Sequence, residues 1–82
     1  MTGFYYTYML VDQATGSHRY VGCTHDLEGR MAKHNSGAVP HTSKYRPWVL
    51  EAAVAFQSKD KAFAFETYLK SHSGRAFAAK HF

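Results

Sequence analysis

The sequence contains a single cysteine, Cys23, so the chain cannot form an internal disulfide. Nothing in its cysteine content therefore calls for an oxidising compartment. The sequence also lacks an apolar run of about 18 or more residues, and it lacks a charged segment followed by an apolar one. Because these are the patterns of a membrane span and of a secretory leader, we expect a cytoplasmic protein.

Several motifs that mark common chemistries are missing as well. The six histidines and the cysteine do not have the spacing of zinc ligands. The sequence contains no glycine-rich phosphate loop, no Ser/His/Asp arrangement, no internal repeat and no low-complexity tract. Zinc-finger, P-loop and serine-hydrolase functions therefore have no support in the sequence.

The composition that remains is that of a small globular domain. At 82 residues the chain has room for one modest core, so we expect a single domain over residues 1–82. Hydrophobic residues make up 45% of the chain, which fits a packed globule rather than a disordered tail. Ten Lys and Arg against six Asp and Glu give a formal net charge of +4, which favours an anionic partner.

The N-terminal part of the chain predicts an antiparallel hairpin. Residues Phe4–Val11 (FYYTYMLV) and His18–Cys23 (HRYVGC) are rich in aromatic and branched side chains, and the polar residues between them favour a turn. In a hairpin, side chains two residues apart along a strand share a face of the sheet.

The register of this hairpin determines which side chains meet. If His18 pairs near Leu10, Tyr20 lies opposite Tyr8, and both phenols share a face with Gly22. Glycine weakens a strand unless a close neighbour needs the space, and a phosphate would be such a neighbour.

A helix is predicted after the hairpin. It begins at Thr24 or Asp26, carries Leu27 and Met31 on one face, and ends at residues 35–37 (NSG).

Two polar residues of this helix also lie four positions apart, Arg30 and His34. They therefore reach the same edge of the helix, which we expect to face a groove.

The rest of the chain predicts a loop over residues 37–46 and a strand over Trp48–Phe56. The apolar content of this third strand suggests a central or well-covered position in the sheet. Ser58 can cap a helix over Lys59–Ser71, and a short last helix is predicted over Arg75–His81. The fold class is therefore α/β (α+β), with a three-stranded antiparallel sheet flanked by helices.

In this order, the polar and aromatic residues resemble a GIY-YIG nuclease domain of the small stand-alone bacterial type. The resemblance spans nearly the whole chain and is carried by Tyr6-Thr7-Tyr8, Tyr20-Val21-Gly22, Leu27, Arg30, His34-Asn35, Arg46-Pro47-Trp48, Glu66 and Leu69-Lys70. The first motif lacks the Gly and Ile of the family name. No Asn or Gln follows Gln57, so the late amide found in many members is missing or replaced.

The resemblance implies an endonuclease that hydrolyses phosphodiester bonds with Mg²⁺ or Mn²⁺, in repair, recombination or processing of structured or single-stranded DNA. Glu66 would bind the metal, and Arg30 would clamp the scissile phosphate. Tyr20 would be the general base in the family's usual account, with Tyr8 holding water or phosphate. A rival assignment makes His34 the base and Tyr20 its orienting partner.

The substrate would be gripped by residues with donors near the predicted site: Gly22, His41, Thr42, Ser43, Lys44 and Arg46. Structural alternatives stay open for each residue type, such as an ion pair of Arg30 with Asp26, a solvated Glu66, or tyrosines that only pack. For the whole chain, the alternative function is a non-catalytic nucleic-acid-binding module that kept the fold, with a protein-interaction domain as a third option. RNA is not excluded as a partner.

Overall fold

The computed structural model describes residues 3–82. The elements follow in the order β1 (Tyr5–Asp12), β2 (Arg19–Thr24), α1 (Leu27–Ser36), a 3-10 helix (Pro40–Tyr45), β3 (Trp48–Phe56), α2 (Lys59–Lys70) and α3 (His72–His81). The strands form one antiparallel sheet in the order β2-β1-β3. The predicted α/β (α+β) class, with three antiparallel strands flanked by helices, is confirmed. Within residues 3–82, no helix has the length and hydrophobicity needed to cross a bilayer.

The hairpin of β1 and β2 forms with a register two residues away from the predicted one. Gly22 lies opposite Tyr8, and Tyr20 lies opposite Leu10. Because side chains alternate with a period of two, a shift of two residues leaves each of them on the same face of the sheet. Tyr8, Tyr20 and Gly22 therefore share a face, as the sequence predicts.

The turn between these strands is organised by the buried carboxylate of Asp12. It accepts hydrogen bonds from the backbone N–H of Thr15 (3.0 Å), the hydroxyl of Thr15 (2.7 Å) and the backbone N–H of His18 (2.8 Å). These bonds, with the Thr15 hydroxyl first, hold the pKa of Asp12 well below its ordinary value, because they stabilise the charged form. The turn is thereby fixed, and with it the register of the strands.

The position of β3 differs from the prediction. β1 is the central strand and β3 forms an edge, where Val49 and Leu50 are 40% and 42% exposed. The apolar run predicted burial, but β1 already occupies the centre because it pairs with its hairpin partner on one side and β3 on the other. One side of β3 therefore stays unpaired within the described chain.

The sheet has a front face and a reverse face, each covered by helices. The front face bears Tyr8 and Leu10, which form a core with Trp48 and pack against Leu27 and Met31 of α1. Burial of this apolar side of α1 against the sheet is the main reason that the helix docks there.

The reverse face bears Thr7 and Met9 and is covered by α2 and α3. Met9 packs in a second core with Leu69 of α2 and Ala78 of α3. The Thr7 hydroxyl donates to the backbone oxygen of Ala62 at 2.7 Å, which holds α2 directly over β1.

The helix ends follow the capping residues in the sequence. Asp26, rather than Thr24, caps α1 by accepting a hydrogen bond from the Gly29 N–H at 3.1 Å. Gly37 ends this helix with a φ of 84°, a left-handed conformation that glycine adopts at low cost.

The two C-terminal helices meet at a single residue. Ser58 caps α2 as predicted. Ser71 ends α2 and also caps α3 by accepting from the Gly74 N–H at 3.1 Å. α3 therefore begins at His72, three residues before the predicted start at Arg75.

Candidate active site

The candidate site lies on the front face, where β1, β2 and α1 meet. The structure brings together five of the predicted residues there: Tyr8, Tyr20, Gly22, Arg30 and His34. The ring centroids of Tyr8 and Tyr20 are 6.4 Å apart, and those of Tyr20 and His34 are 4.9 Å apart. The hairpin register and the four-residue spacing on α1 together produce this cluster.

A continuous hydrogen-bond chain runs through the site. The Arg30 Nε–H donates to the Tyr8 phenol oxygen at 3.4 Å, and that oxygen lies 2.7 Å from His34 Nε2. His34 Nδ1 lies 2.8 Å from the Thr42 hydroxyl, which donates to the Val39 carbonyl at 3.4 Å. With a fixed donor at one end and a carbonyl acceptor at the other, we assign the Tyr8 proton to the bond with Nε2 and the His34 proton to Nδ1.

His34 is buried beneath the other side chains of the cluster. Its side chain is fully buried, and both ring nitrogens are occupied by Tyr8 and Thr42. Burial, followed by the nearby charge of Arg30, lowers the pKa of His34, so the neutral ring is favoured. In this structure neither ring nitrogen is free for the expected roles of His34, which are donation to phosphate or action as the general base.

Tyr8 is buried in the same way and is held by two hydrogen-bond partners. Its side chain is 1% exposed, and its oxygen is already bonded to His34 and Arg30, so the predicted direct hold on water or phosphate is not available. Burial raises the pKa of Tyr8, the hydrogen bond from Arg30 opposes this, and the negative charge of Glu66 acts in the same direction as burial. A neutral phenol that accepts from Arg30 Nε fixes the orientation of the guanidinium.

Gly22 makes room for the Tyr8 phenol. A Cβ built at Gly22 would lie 2.6 Å from Tyr8 Cζ and 3.0 Å from Tyr20 Cε2. The predicted close neighbour of this glycine exists, but it is a tyrosine ring rather than a phosphate. Because Gly22 has no side chain, the Tyr8 phenol of β1 fits over β2 at this position.

Arg30 and Tyr20 are the members of the cluster that remain partly open to solvent. Within residues 3–82, Arg30 forms no ion pair, and Asp26 caps α1 instead of pairing with it. The hydrogen bond to the Tyr8 oxygen raises the pKa of Arg30, because it stabilises the charged guanidinium. Arg30 lines an open cavity of about 470 Å³, together with Cys23, Thr24, His25, Lys59, Phe63 and Tyr5. A positive charge without an ion-pair partner is therefore presented to solvent.

Glu66 approaches the site from the other side of the sheet. It lies on α2, which packs on the reverse face, although its charge acts on Tyr8 of the front face and α2 lines the same cavity as Arg30. Among the residues that the structure describes, its carboxylate forms one ion pair, with Lys70 at 2.9 Å. The sequence could not show on which face of the sheet α2 packs, because that packing depends on long-range contacts such as that of Thr7 with Ala62.

Glu66 is nevertheless near the β2 edge. Its charge contributes to raising the pKa of Cys23, after burial, and also that of Tyr8. Cys23 lies on the reverse face of β2, and Tyr8 lies on the front face. The carboxylate is thus within electrostatic range of side chains on both faces of the sheet.

A fully formed metal cluster is not found in residues 3–82, where no three His, Cys, Asp or Glu side chains group together as ligands. The donor chemistry fits a hard ion that is only partly held by protein, because Mg²⁺ keeps several waters and often takes one or two carboxylates plus substrate phosphates. The Glu66 side chain is 19% exposed, and its ion-pair partner, Lys70, has a long side chain with many rotamers. The residues present fit such an ion only when phosphate oxygens complete its shell.

The predicted substrate-binding residues of the 3-10 helix are in different environments. Thr42 is fully buried; its hydroxyl contacts His34, and its carbonyl accepts from Trp48 Nε1 at 2.7 Å. The Thr42 hydroxyl is therefore not exposed for the expected phosphate contact, and it bonds to His34 instead. His41, Lys44 and Arg46 are exposed, while Ser43 is half-buried and donates to the Pro40 carbonyl at 3.1 Å.

Asn35, which follows His34 in the motif, joins two elements of the fold. Its side-chain amide donates to the Trp48 carbonyl at 3.1 Å and accepts from the Trp48 N–H at 2.6 Å. Asn35 thus joins the last turn of α1 to the start of β3. Its position directly after His34 was the one signal that could have indicated this role.

Comparison with known proteins agrees with the fold. Residues 4–80 match the model of the GIY-YIG catalytic domain, so the fold is that of a nuclease-like domain. The chain belongs to the GIY-YIG family, and the predicted resemblance is confirmed.

Small bacterial proteins are among its relatives. Over 67 residues the chain is 42% identical to the UPF0213 protein YsiG of Lactococcus lactis subsp. lactis (strain IL1403), covering 80% of this chain and 62% of that protein. Over 79 residues it is 34% identical to the UPF0213 protein SpyM50708 of Streptococcus pyogenes serotype M5 (strain Manfredo), covering 90% and 86%. The match thus spans less than two thirds of the Lactococcus protein. No solved structure gives a significant match.

Proposed function

We propose that the chain is a divalent-metal-dependent DNA endonuclease that hydrolyses phosphodiester bonds. The observation that carries this proposal is Arg30, a guanidinium without an ion-pair partner in the described chain, held by Tyr8 beside the half-buried Tyr20. The arrangement lies within a GIY-YIG catalytic domain.

Arg30 binds the scissile phosphate in this proposal. Its planar fork matches two phosphate oxygens and stays charged throughout the reaction. The Tyr8 oxygen occupies its Nε–H, which leaves the terminal N–H groups for the substrate. Since His34 and Thr42 fix Tyr8 from behind, the guanidinium is oriented before the substrate arrives.

Tyr20 acts as the general base in its phenolate form, which takes the proton of the attacking water and thereby becomes the neutral phenol. Its phenol is on the same face as Arg30 and is not part of the buried hydrogen-bond chain. The rival assignment to His34 is disfavoured because His34 has no exposed nitrogen.

Glu66 would hold the Mg²⁺ or Mn²⁺ ion, and the bound ion would supply counter-charge to the transition state and to the departing oxygen. The carboxylate is available once Lys70 turns to a phosphate of the bound strand, since the Lys70 ammonium then has a new anionic partner. The net charge of +4 assists the approach of the polyanion.

A cleavage panel tests this function. Single-stranded, duplex and branched DNA, with matching RNA, is incubated with the protein and Mg²⁺ or Mn²⁺. Cutting of at least one DNA substrate is expected. Glu66→Gln should lower the rate at least about 10³-fold while the affinity for that DNA changes less than about twofold. Glu28→Gln, which removes one exposed carboxylate from α1, is the matched control and should cut like the wild type.

The other outcomes identify the alternatives. Salt-sensitive binding of DNA without cutting of any substrate would show the non-catalytic binding module instead. The absence of binding even at low salt would leave a protein-interaction domain.

A further inference from the structure

A second cavity opens on the reverse side of β2, between this strand and helices α2 and α3. Its volume is about 610 Å³, which is within the ordinary range for ligand sites in proteins. Its floor is apolar and is formed by Met9, Val21, Leu69, Ala78 and Ala79. Met9, Leu69 and Ala78 are at most 8% exposed, so the floor belongs to the rigid core of the domain.

The rim of this cavity is positively charged. It carries Arg19, Lys70 and Arg75, and no Asp or Glu lines the cavity. Arg19 pairs with Glu51, and Lys70 pairs with Glu66, whereas Arg75 forms no ion pair within residues 3–82. An apolar floor beneath an unpaired guanidinium complements a ligand that has a flat apolar part and an attached anion.

The cavity also adjoins the candidate active site through Tyr20. The Tyr20 side chain belongs to the front-face cluster, with its ring 4.9 Å from that of His34, and it lines the reverse-side cavity as well. Tyr20 does both because β2 is the edge strand of the sheet. Lys70 lines the same cavity while bonded to Glu66. A ligand in the cavity would therefore lie beside the reacting phosphate.

We propose that this cavity binds one nucleobase of the DNA strand next to the cleaved bond, with the phosphate of that nucleotide on Arg75. A nucleotide has the required chemistry, since its base is flat and weakly polar on its faces and its phosphate is an anion that suits a guanidinium. The base has to leave its stack to enter, so an unpaired nucleotide at this position binds best. This inference rests on the proposed function for the identity of the strand and of the cleaved bond.

Abasic scanning tests the cavity directly. A fluorescent single-stranded oligonucleotide is prepared in versions that each lack one base, and binding to the Glu66→Gln protein is measured by anisotropy with Mg²⁺ present. Loss of the base that occupies the cavity should weaken binding about tenfold, as expected for one buried base, while neighbouring abasic positions have smaller effects. Equal affinity for all abasic versions would overturn the proposal.

Variants of α3 locate the effect. Ala79→Phe fills the cavity from an exposed helix position, and it should weaken binding of the intact oligonucleotide and remove the sensitivity to the abasic position. Ala76→Phe adds the same side chain to an exposed position of α3 outside the cavity, so it is the matched control. If Ala79→Phe keeps the wild-type abasic profile, the base does not bind in this cavity.

A charge variant gives an independent result that does not depend on filling the cavity. Arg75→Gln should weaken binding about five- to tenfold. The control is Lys80→Gln, which removes an exposed cation of α3 away from the cavity. The logarithm of its effect on the affinity should be less than half of that for Arg75→Gln. Equal effects of the two substitutions would overturn the role of Arg75.

Cleavage separates the two proposals. When Glu66 is intact, Ala79→Phe and Arg75→Gln should each raise KM for the oligonucleotide. They should leave kcat within about threefold of the wild-type value, because neither residue touches the reacting atoms. If no DNA is cut but the abasic profile depends on residue 79, the nuclease proposal fails and the nucleobase site stands. Cleavage with a flat abasic profile would give the opposite result.

Discussion

The phenol oxygen of Tyr8 lies 2.7 Å from Nε2 of His34, and both side chains are almost completely excluded from solvent. One residue comes from the central strand and the other from α1, so this bond joins the sheet to the helix that carries Arg30. A buried polar group that loses its partner destabilises a fold. The stability of the domain and the orientation of Arg30 therefore depend on the same contact.

Removal of the imidazole should destabilise the domain strongly. We expect His34→Ala to lower the free energy of unfolding by about 2–4 kcal/mol, because it leaves a cavity and removes the partner of both Tyr8 and Thr42. Urea denaturation monitored by tryptophan fluorescence measures this. His25→Ala, at an exposed position, should stay within about 0.5 kcal/mol of the wild type.

A double-mutant cycle with Tyr8→Phe shows whether the two residues act together. The effects of Tyr8→Phe and His34→Ala should differ from additivity by about 1–2 kcal/mol, since each removes the same bond. Strict additivity would mean that the contact contributes nothing to stability.

The free energy of unfolding should also decrease as the pH is lowered, over a window that the pKa of His34 sets. Burial first, and then the charge of Arg30, lowers the pKa of His34 below its ordinary value of 6.5. Below that pH the unfolded chain binds a proton that the folded chain does not, so the free energy of unfolding decreases as pH falls from about 6.5 towards the lower folded value. The slope from this group can approach about 1.4 kcal/mol per pH unit.

Urea midpoints between about pH 5 and pH 8 check this expectation. His34→Gln keeps a polar side chain but does not titrate, so its stability should vary less over the window, while His25→Gln should retain the wild-type slope. Equal slopes for the wild type and His34→Gln would show that His34 is not responsible.

Local features of this fold could be predicted from the sequence. The alternation in residues 4–11 and 18–23 determines that Tyr8, Tyr20 and Gly22 share a face, and an error of two residues in the register does not change that result. In the same way, the spacing of Arg30 and His34 on one helix places both beside the hairpin. Patterns with a period of two or of about 3.6 residues carry this information within a few turns of chain.

The features that could not be predicted depend on contacts between distant segments. Thr42 reaches His34 only because the 3-10 helix folds back on α1, and its sequence environment is that of an exposed loop. The side of the sheet on which α2 places Glu66 depends on how Thr7 and Met9 pack. The edge position of β3 similarly depends on the order in which the strands pair.

A methyl group at Gly22 should disturb stability and activity together. In Gly22→Ala the new Cβ would lie 2.6 Å from Tyr8 Cζ, and the neighbouring rings are held in the core. We expect a loss of about 1–3 kcal/mol of unfolding free energy and a lower cleavage rate, because Tyr8 has to move away from Arg30. Thermal unfolding and a single-turnover cleavage assay measure the two effects.

Gly29→Ala is the matched control for this substitution. Its new Cβ would lie 2.9 Å from Asp26 Cγ, which belongs to an exposed side chain that can move. Replacing a glycine inside a helix gains about 1 kcal/mol, and weakening the Asp26 cap costs about the same, so little net change is expected. A Gly22→Ala protein as stable and active as Gly29→Ala would refute the tight contact with Tyr8.

Tyr8 and Tyr20 have different proposed roles, and comparing their substitutions tests the site most directly. Tyr8→Phe should lower the unfolding free energy by about 1–2 kcal/mol, because it removes a buried hydroxyl that bonds to His34 and Arg30. Tyr20→Phe should leave stability within about 0.5 kcal/mol, since this phenol is outside the buried hydrogen-bond chain. It should nevertheless lower kcat at least about 10²-fold, because the proposed base loses the oxygen that accepts the proton. Single-turnover cleavage at saturating DNA, with urea titrations of the same preparations, measures both quantities. If Tyr20→Phe cut DNA at the wild-type rate, the general base would have to be another group, and Tyr20 would keep only its contact with the cavity behind β2.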